Sequence, residues 1–598
     1  MNETIGIIPR AFRRRGVWVA CTLLLRAGLN FLGLAMLLPV LALVLDPGSL
    51  EGGGVLTRAY EGLGFASQRT FALAVCAAVV GVIVLKCLLG LWLARVERTY
   101  IYDLYRTLSR RLLVTYHDRG LPFVKASNSA VLARNVNVVC LAFAAGVLKP
   151  AAAIAAEAML LVLLFGALMW YTPLAALLAL AVFLPSIWLY YGLVRNRINR
   201  YGELENKAQR EKARLVAETF RGYADIEINN AFPMMLRQFD RAMDQVIRTR
   251  LRETAIGLLP QTFTEVGLAV GMALLVALSL GDGDGRAQML FGVFAVAALR
   301  LMPSVRNIMT GWTAIKYNRY TIGILRDAAA DCPPAPANPD CRDTPGPRST
   351  SAATVAPGNS GNPGNPADDT ASSPEKLPFR HEIAVRDLRF RFADGGRELF
   401  HGLSLTIRKG ERIGIRGASG AGKTTLFNLL LGLYEPSGGE IAIDGTPLTA
   451  ANRRAWQNRI GYVSQNLFIA DGSFAANVAL GIPAGEVDRE RVMQALRAAQ
   501  LGELVTGLAK GIDTHVGECG CRLSGGQRQR IGIARALYRQ ADVLFFDEAT
   551  SALDSRTEEE INRSIAGLAA RDAGLTLVVI AHRESSLEYC NRIITIGE

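Results

Sequence analysis

One stretch of the sequence has the residue types needed to hold a polyphosphate. Residues 417–424 read GASGAGKT; they follow the apolar run ERIGIRG and precede TLFNLLLGL. This order predicts strand, loop and helix, as in a P-loop. Glycines let backbone amides turn towards a phosphate, and the helix N-terminus adds partial positive charge. The segment therefore predicts a phosphate-binding loop.

The side chains of this loop have separate predicted roles. Lys423 should reach the β- and γ-phosphates of a nucleotide, and Thr424 should bind Mg²⁺. The other contacts predicted from the loop are Gly417, Ser419, Gly420, Ala421, Gly422 and Thr425.

A pair of carboxylates supplies the second half of a phosphoryl-transfer site. The run FFDEATSALD places Asp547 at the end of an apolar strand, where it can hold Mg²⁺ directly or through water. Glu548 is placed to polarise the attacking water, because phosphoryl transfer needs mainly positioning and charge neutralisation. His582 follows the strand LVVIA. Ligands bind at that end of open α/β sheets, so we favour a γ-phosphate contact over a purely structural histidine.

Further motifs resemble those of ABC ATPases. LSGGQ at residues 523–527 is similar to their signature motif, Gln465 in YVSQN to their Q-loop glutamine, and residues 551–554 to their D-loop. Phe392 occupies the place of the aromatic residue that stacks on adenine, although tyrosine is commoner there. VGECGCRLSGGQ is similar to the exporter form, in which residues 516–518 contact the membrane domain.

The resemblance implies ATP and Mg²⁺ as ligands, with Thr424, Gln465 and Asp547 holding the metal. It also implies that Ser524, Gly525, Gly526 and Gln527 serve the nucleotide of a partner, so a working enzyme needs two chains, most simply a homodimer. ATP would close this dimer and hydrolysis would reopen it. The segment RGYADIEINN (residues 221–230) resembles the coupling segment that relays the movement.

The elements before the P-loop are predicted to span a membrane. The chain of 598 residues is 50% hydrophobic and 20% charged, and its mean hydropathy is +0.22. A span needs about 20 apolar residues, and six stretches qualify: 17–45, 71–94, 138–170, 173–194, 255–280 and 288–312. Together with the resemblance to ABC ATPases of the exporter form, these spans imply a six-span α-helical domain of the ABC exporter type plus an α/β P-loop NTPase domain.

Charge in the loops predicts the orientation. Loops after the second and fourth spans are rich in Arg and Lys, whereas the other three loops have few cations. By the positive-inside rule both termini and the ATPase domain are cytoplasmic, in a multi-pass protein of the cell (inner) membrane. The two basic loops are long and are predicted to be helices continuing past the bilayer; disordered loops are the alternative. The net charge of +13 fits a membrane surface, and no nucleic-acid partner is predicted.

Two domains and a linker follow from these patterns. Residues 1–328 form the predicted transmembrane domain, and residues 381–598 the ATP-binding domain. Between them, residues 329–380 are rich in Pro, Asn, Gly, Ser and Thr and predict a disordered linker. Nine scattered cysteines are predicted to be incidental thiols.

Ionisable residues inside spans are candidates for a cargo site. They are Arg26, Lys86, Glu157, Glu265 and Arg300. The substrate cavity is predicted to involve Lys86, Gln261, Glu265, Arg300 and Ser304, with Arg300, Ser304, Asn307 and Gly311 forming a polar stripe that lines it. The alternative is that Arg300 or Lys86 pairs with Glu265 or Glu157 to hold the bundle together.

A second resemblance bears on the cargo. FAVAALRLMPSVRNI (residues 294–308) is similar to the sixth-span region of lipid-linked oligosaccharide flippases among ABC exporters. It implies an amphipathic, anionic cargo such as a polyprenyl-diphosphate glycan or another lipid. An exporter of peptides or hydrophobic drugs shares every ATPase motif and is the alternative. A soluble ABC ATPase would lack spans, and an importer commonly splits its membrane and ATPase parts into separate chains.

Overall fold

A computed structural model describes most of the chain. The described residues are 8–35, 62, 68–171, 173–279, 286–330, 376–392, 398–418, 420–548, 556–561, 563, 567, 574–581, 587–588 and 590–596. The chain divides into two compact units, Met1–Ser349 and Thr350–Glu598. The predicted linker falls largely on residues outside the described part.

The first unit is helical. Its α-helices are α1 (Arg10–Ala35), α2 (Gln68–Asp118), α3 (Gly120–Ala126), α4 (Ser129–Arg134), α5 (Cys140–Phe143), α6 (Lys149–Tyr171), α7 (Pro173–Arg221), α8 (Tyr223–Ile228), α9 (Phe232–Ser279), α10 (Arg286–Tyr317) and α11 (Tyr320–Ala330). Two π-helical segments, Asn135–Val139 and Ala144–Leu148, join α4, α5 and α6 into one nearly continuous rod.

All six predicted spans fall on long helices, although the first is described only as far as Ala35. Within the described residues, three helical stretches are long and apolar enough to cross a membrane: Phe12–Gly33, Leu73–Asp118 and Ser129–Trp170. The 51 residues of α2 correspond to about 76 Å at about 1.5 Å per residue. That exceeds the hydrocarbon core of about 30 Å, so α2 continues as a helix through the basic stretch that follows the second predicted span.

The helices of this unit pack through small residues at close approaches. A Cβ added to Gly202 on α7 would lie 1.9 Å from the carbonyl oxygen of Tyr317 at the end of α10. Only glycine fits there, because any other residue would overlap the backbone of α10. Around this contact lies a core that includes Tyr190, Ile198 and Met309.

The predicted polar stripe on α10 does not line an open cavity at Ser304. Ser304 is 2% exposed and donates a 2.7 Å hydrogen bond to Glu157 on α6. A Cβ on Gly311 would lie 3.0 Å from the side chain of Ile154, also on α6. At these two positions α10 packs on α6 and supplies a donor to the Glu157 carboxylate, and the role of the stripe in cargo binding stays a prediction.

The second unit is α/β and contains two sheets. Strands β1 (Glu382–Phe390), β2 (Phe400–Arg408), β4 (Gly438–Ile443) and β5 (Thr446–Pro447) form an antiparallel sheet in the order β2-β1-β4-β5. Strands β3 (Arg412–Gly417), β6 (Ile460–Val463), β7 (Val543–Asp547), β8 (Thr576–Ile580) and β9 (Arg592–Ile596) form a parallel sheet in the order β6-β7-β8-β3-β9.

Every residue of β7 and β8 is buried, as their continuous apolar runs predict for central parallel strands. The α-helices of this unit are α12 (Lys423–Leu430), α13 (Arg453–Gln457), α14 (Phe474–Val478), α15 (Arg489–Ala498), α16 (Gly502–Thr506) and α17 (Gly525–Tyr538).

This unit begins a few residues earlier than predicted. Phe379 is 2% exposed and contacts Trp456 with ring centroids 5.8 Å apart. The amide of Leu377 donates a 3.2 Å hydrogen bond to the carbonyl of Ala455. The last residues of the predicted linker therefore belong to the folded unit, because an aromatic side chain at position 379 fills its core.

Candidate nucleotide-binding site

The predicted P-loop runs from the end of β3 to the start of α12. Gly420 and Gly422 have φ of +85° and +93°, a region that only glycine occupies without strain. Gly422 also approaches Leu399, whose side chain would lie 2.9 Å from an added Cβ. The loop can therefore turn back on itself and present its amides at the N-terminus of α12.

Lys423, at the first position of α12, is held over this loop. Its ammonium donates hydrogen bonds of 2.9 Å to the carbonyls of Gly417 and Ala418, and the side chain is largely buried. Ala421 closes the turn with a 3.2 Å hydrogen bond to Ala418. The cation thus lies within the loop that its sequence predicts to bind phosphate.

Two oxygen groups meet beside the loop, one from α12 and one from β7. The Thr424 hydroxyl donates a 3.3 Å hydrogen bond to a carboxylate oxygen of Asp547, whose side chain is buried. Hydroxyl and carboxylate oxygens are the ligands that Mg²⁺ prefers. These two residues fit a magnesium ion, as predicted from their separate motifs. Thr425 follows on the same helix.

Asp547 also changes its surroundings. Tyr462 on β6 has a pKa well above its ordinary value, because burial and then the negative charge of Asp547 disfavour the phenolate. The hydroxyl of Tyr462 therefore remains protonated across the physiological range. The buried Asp547 carboxylate therefore lies beside the neutral hydroxyl of Tyr462.

The next residue, Glu548, adopts a left-handed conformation with φ of +50°. Its amide donates a 3.0 Å hydrogen bond to the carbonyl of Ile580 at the end of β8. Its carboxylate accepts a 2.6 Å hydrogen bond from the side-chain amide of Gln465. The turn therefore directs Glu548 towards the Q-loop residue, at the same sheet edge as the P-loop.

Aromatic side chains form a surface next to the P-loop. Phe392 is 41% exposed and contacts Phe390 and Tyr434 edge-on, with centroids 5.0 and 6.2 Å apart. Phe390 and Tyr434 are stacked at 5.5 Å. An exposed ring on a rigid aromatic base is suited to stacking on a planar base. Tyr434 was not predicted to be part of this group. Its position just after the P-loop helix was the sequence feature that could have indicated it.

The predicted signature motif forms the start of α17. The Ser524 hydroxyl accepts a 3.2 Å hydrogen bond from the amide of Gln527, and the Gln527 side chain accepts a 2.9 Å bond from the amide of Ser524. This capping box fixes the helix N-terminus, which includes Gly525 and Gly526. Ser524 is exposed, so the motif is available to a partner.

Some predicted site residues lie outside the described part of the chain. They are Ser419, His582 and the D-loop residues 551–554.

The predicted substrate residues do not form one group among the described side chains. Gln261 donates a 2.8 Å hydrogen bond to Glu265 one turn along α9. The ammonium of Lys86 on α2 lies 2.8 Å from the position of a Cβ on Gly33 of α1. Arg300 lies on α10, but its side chain is outside the described part.

An ion pair between α1 and α2 was not predicted. The Arg26 guanidinium contacts the Glu97 carboxylate at 3.0 Å. Arg26 was predicted only as an intramembrane charge, and Glu97 was not singled out. The sequence signal for Glu97 was its position just beyond the second predicted span.

Comparisons with known proteins agree with this geometry. Residues 400–551 match the family model described as ABC transporter. The chain is 30% identical over 438 residues to an ATP-dependent lipid A-core flippase of Ralstonia nicotianae, covering 72% of this chain and 67% of that protein. It is 29% identical over 549 residues to the flippase of the same name from Burkholderia pseudomallei, covering 90% and 84%.

A solved structure has the same fold. A bacterial Atm1-family ABC exporter with ATP bound superposes with a TM-score of 0.72 at 22% identity, covering 98% of this chain and 94% of that one.

Proposed function

The chain belongs to the ABC exporters, ATP-hydrolysing transporters in which a helical membrane unit is fused to one ATP-binding unit, and we propose that it flips a lipid-linked saccharide. The cargo would be an amphipathic, anionic molecule such as a polyprenyl-diphosphate glycan or a related glycolipid. It would move from the cytoplasmic leaflet outward, which follows the predicted orientation of both termini and of the ATPase unit.

The observation that carries this proposal is the length of the similarity. The match to the Burkholderia pseudomallei flippase extends over 90% of this chain and so includes the membrane unit as well as the common ATPase motifs. The relatives bear the name lipid A-core flippase. Their cargo class, a saccharide attached to a lipid, agrees with the cargo expected from residues 294–308.

Hydrolysis would use the residues that the fold collects at one sheet edge. Lys423 and the loop amides would hold the nucleotide phosphates, while Phe392 stacks on its adenine. Thr424, Asp547 and Gln465 would hold Mg²⁺, which neutralises phosphate charge when bound. Glu548 would orient the attacking water as general base, with His582 contacting the γ-phosphate.

The signature motif that covers each bound nucleotide would come from the other copy of this chain. Ser524, Gly525, Gly526 and Gln527 would close over the nucleotide held by the partner. A homodimer then has two composite sites, each with its own Glu548, so both sites hydrolyse ATP. The lipid bilayer surrounds the membrane units of the dimer.

Reconstitution tests the proposed activity directly. The full chain is placed in proteoliposomes with a fluorescent polyprenyl-diphosphate saccharide in the inner and outer leaflets. We expect MgATP to move the saccharide across the bilayer and to stimulate ATPase activity, with Glu548→Gln as the inactive control. Stimulation by peptides or hydrophobic drugs, without movement of the saccharide, would support the alternative exporter class.

Arg300 provides a finer test of the anionic headgroup. Arg300→Ala should leave folding and basal ATPase activity intact while cargo stimulation falls, and Arg300→Lys should partly restore it because the charge survives. If Arg300 pairs with Glu265 instead, Arg300→Ala should lower thermal stability. The double variant with Glu265→Ala should then recover stability with transport intact, which contradicts a headgroup role.

A further inference from the structure

A small, mainly apolar cavity with charged side chains in its wall lies inside the membrane unit, between α1, α2 and α6. Its volume is about 80 Å³, several times the roughly 10–15 Å³ needed for one water. The wall is polar at Arg26, Asn30, Glu97 and Glu157 and apolar at Leu23 and Leu160. Ala153 and Ala156 complete the α6 side. Polar groups of this kind inside a membrane unit mark a functional site by default.

The positive charge in the cavity is already matched. Arg26 contacts the Glu97 carboxylate at 3.0 Å, and the Glu97 side chain is only 11% exposed. The guanidinium and this carboxylate therefore neutralise each other across the α1–α2 contact. An anionic ligand would have to compete with a buried carboxylate for Arg26.

Glu157 adds a second carboxylate to the described wall of the cavity. Among the described side chains, its hydrogen bonds come from the neutral donors Ser304, at 2.7 Å, and Asn307, at 3.0 Å. Glu157 lies about 12 Å from Lys149 and about 21 Å from Tyr171 along α6, so it is well inside an apolar helix. The described wall thus holds two carboxylates and one guanidinium, a charge of −1.

We propose that this cavity binds an ammonium group on the headgroup of an amphipathic cargo. This inference rests on the proposed function and adds that the saccharide has a free amine. Glu157 would neutralise the ammonium and Asn30 would accept a further hydrogen bond from it. A volume of about 80 Å³ has room for the ammonium group together with several waters.

Two matched amphiphiles test the proposal. An alkyl glucosaminide with a free amine and its N-acetyl form differ only at this nitrogen. Binding of each to the full chain in lipid nanodiscs is measured by calorimetry. We expect the free amine to bind at least about 10-fold more tightly. Glu157→Gln should reduce this preference to less than about 2-fold, while Glu157→Asp should keep most of it.

Asp103→Asn is the matched control, because Asp103 is an exposed carboxylate on α2 outside this cavity. It should keep the full preference for the amine. Equal binding of both amphiphiles to the unmodified protein would overturn the proposal, as would a Glu157→Gln variant that folds, by its thermal midpoint, yet keeps the preference.

The test separates this inference from the proposed function. Amine preference without ATP-driven movement of a lipid-linked saccharide would leave the cavity assignment intact and remove the flippase. Movement of the saccharide without amine preference would leave the flippase assignment intact and remove the cavity assignment.

Discussion

Gln465 donates a 2.6 Å hydrogen bond to the carboxylate of Glu548, joining the loop after β6 to the residue after β7. Glu548 is held there by its left-handed backbone and by the hydrogen bond that its backbone amide donates to the carbonyl of Ile580. The contact pairs the residue proposed to hold Mg²⁺ with the residue proposed to orient water. The Q-loop is therefore placed to respond to the state of the Glu548 carboxylate.

Glu548→Gln should keep ATP binding and nearly abolish hydrolysis. The amide has almost the same shape but cannot accept the proton of the attacking water, a role typically responsible for at least about 100-fold in rate. Steady-state ATPase activity and ATP binding by the full chain measure the two effects. The variant should also accumulate as a closed dimer in ATP. Turnover at the unmodified rate would remove Glu548 from this role.

Ser524→Arg should block hydrolysis while leaving ATP bound by the P-loop of its own chain. The arginine would occupy the space needed by the partner's nucleotide, and hydrolysis should fall by at least about 100-fold. Nucleotide binding at low temperature should change by less than about 3-fold. Ser524→Thr is the control, because threonine retains the N-cap hydroxyl at a modest cost. Loss of ATP affinity with Ser524→Arg would contradict a site shared between two chains.

Gly202→Ala should destabilise the membrane unit. The new Cβ would lie 1.9 Å from the carbonyl oxygen of Tyr317, so α7 and α10 must separate, at a cost of about 1–3 kcal/mol or more. Gly192→Ala on the same helix is the control, since nothing lies within 4 Å of its added Cβ. Thermal unfolding in detergent should show a lower midpoint for Gly202→Ala alone. Equal midpoints would mean that the two helices do not approach this closely.

Cys590 should alkylate far more slowly than Cys519 and Cys521. Burial raises the pKa of Cys590 to about 11, against a smaller opposing effect of Arg412, whereas the other two are exposed. Only the thiolate reacts; at pH 8 about one Cys590 thiol in a thousand is ionised at that pKa. Mass spectrometry after iodoacetamide treatment should show its rate rising about tenfold per pH unit from 8 to 10. In denaturant all three should react alike.

The motifs could be found from the sequence because their chemistry depends on neighbouring residues. GASGAGKT must be a turn followed by a helix whatever surrounds it, since its glycines set the local backbone and Lys423 and Thr424 follow directly. The same holds for Ser524 and Gln527, because their capping box joins two residues that are only three positions apart. Long apolar runs likewise predicted the six long helices and the two buried strands. A membrane helix faces lipid or other helices and a central strand is buried on both faces, so neither has a polar face to encode.

Tertiary structure decided which distant residues meet. Thr424 and Asp547 lie 123 positions apart, and Ser304 and Glu157 lie 147 apart. Spacing alone predicts neither contact. Thr424 and Asp547 were expected to share Mg²⁺ because their two motifs resemble those of ABC ATPases, whereas no motif paired Ser304 with Glu157. Helical periodicity placed Ser304 on a polar face but could not say whether that face meets water or α6. Arg26 was visible as an intramembrane charge, yet its pairing with Glu97 depends on the crossing of α1 and α2. A single side chain can be assigned from its local pattern, whereas a contact exists only once packing has fixed both helices.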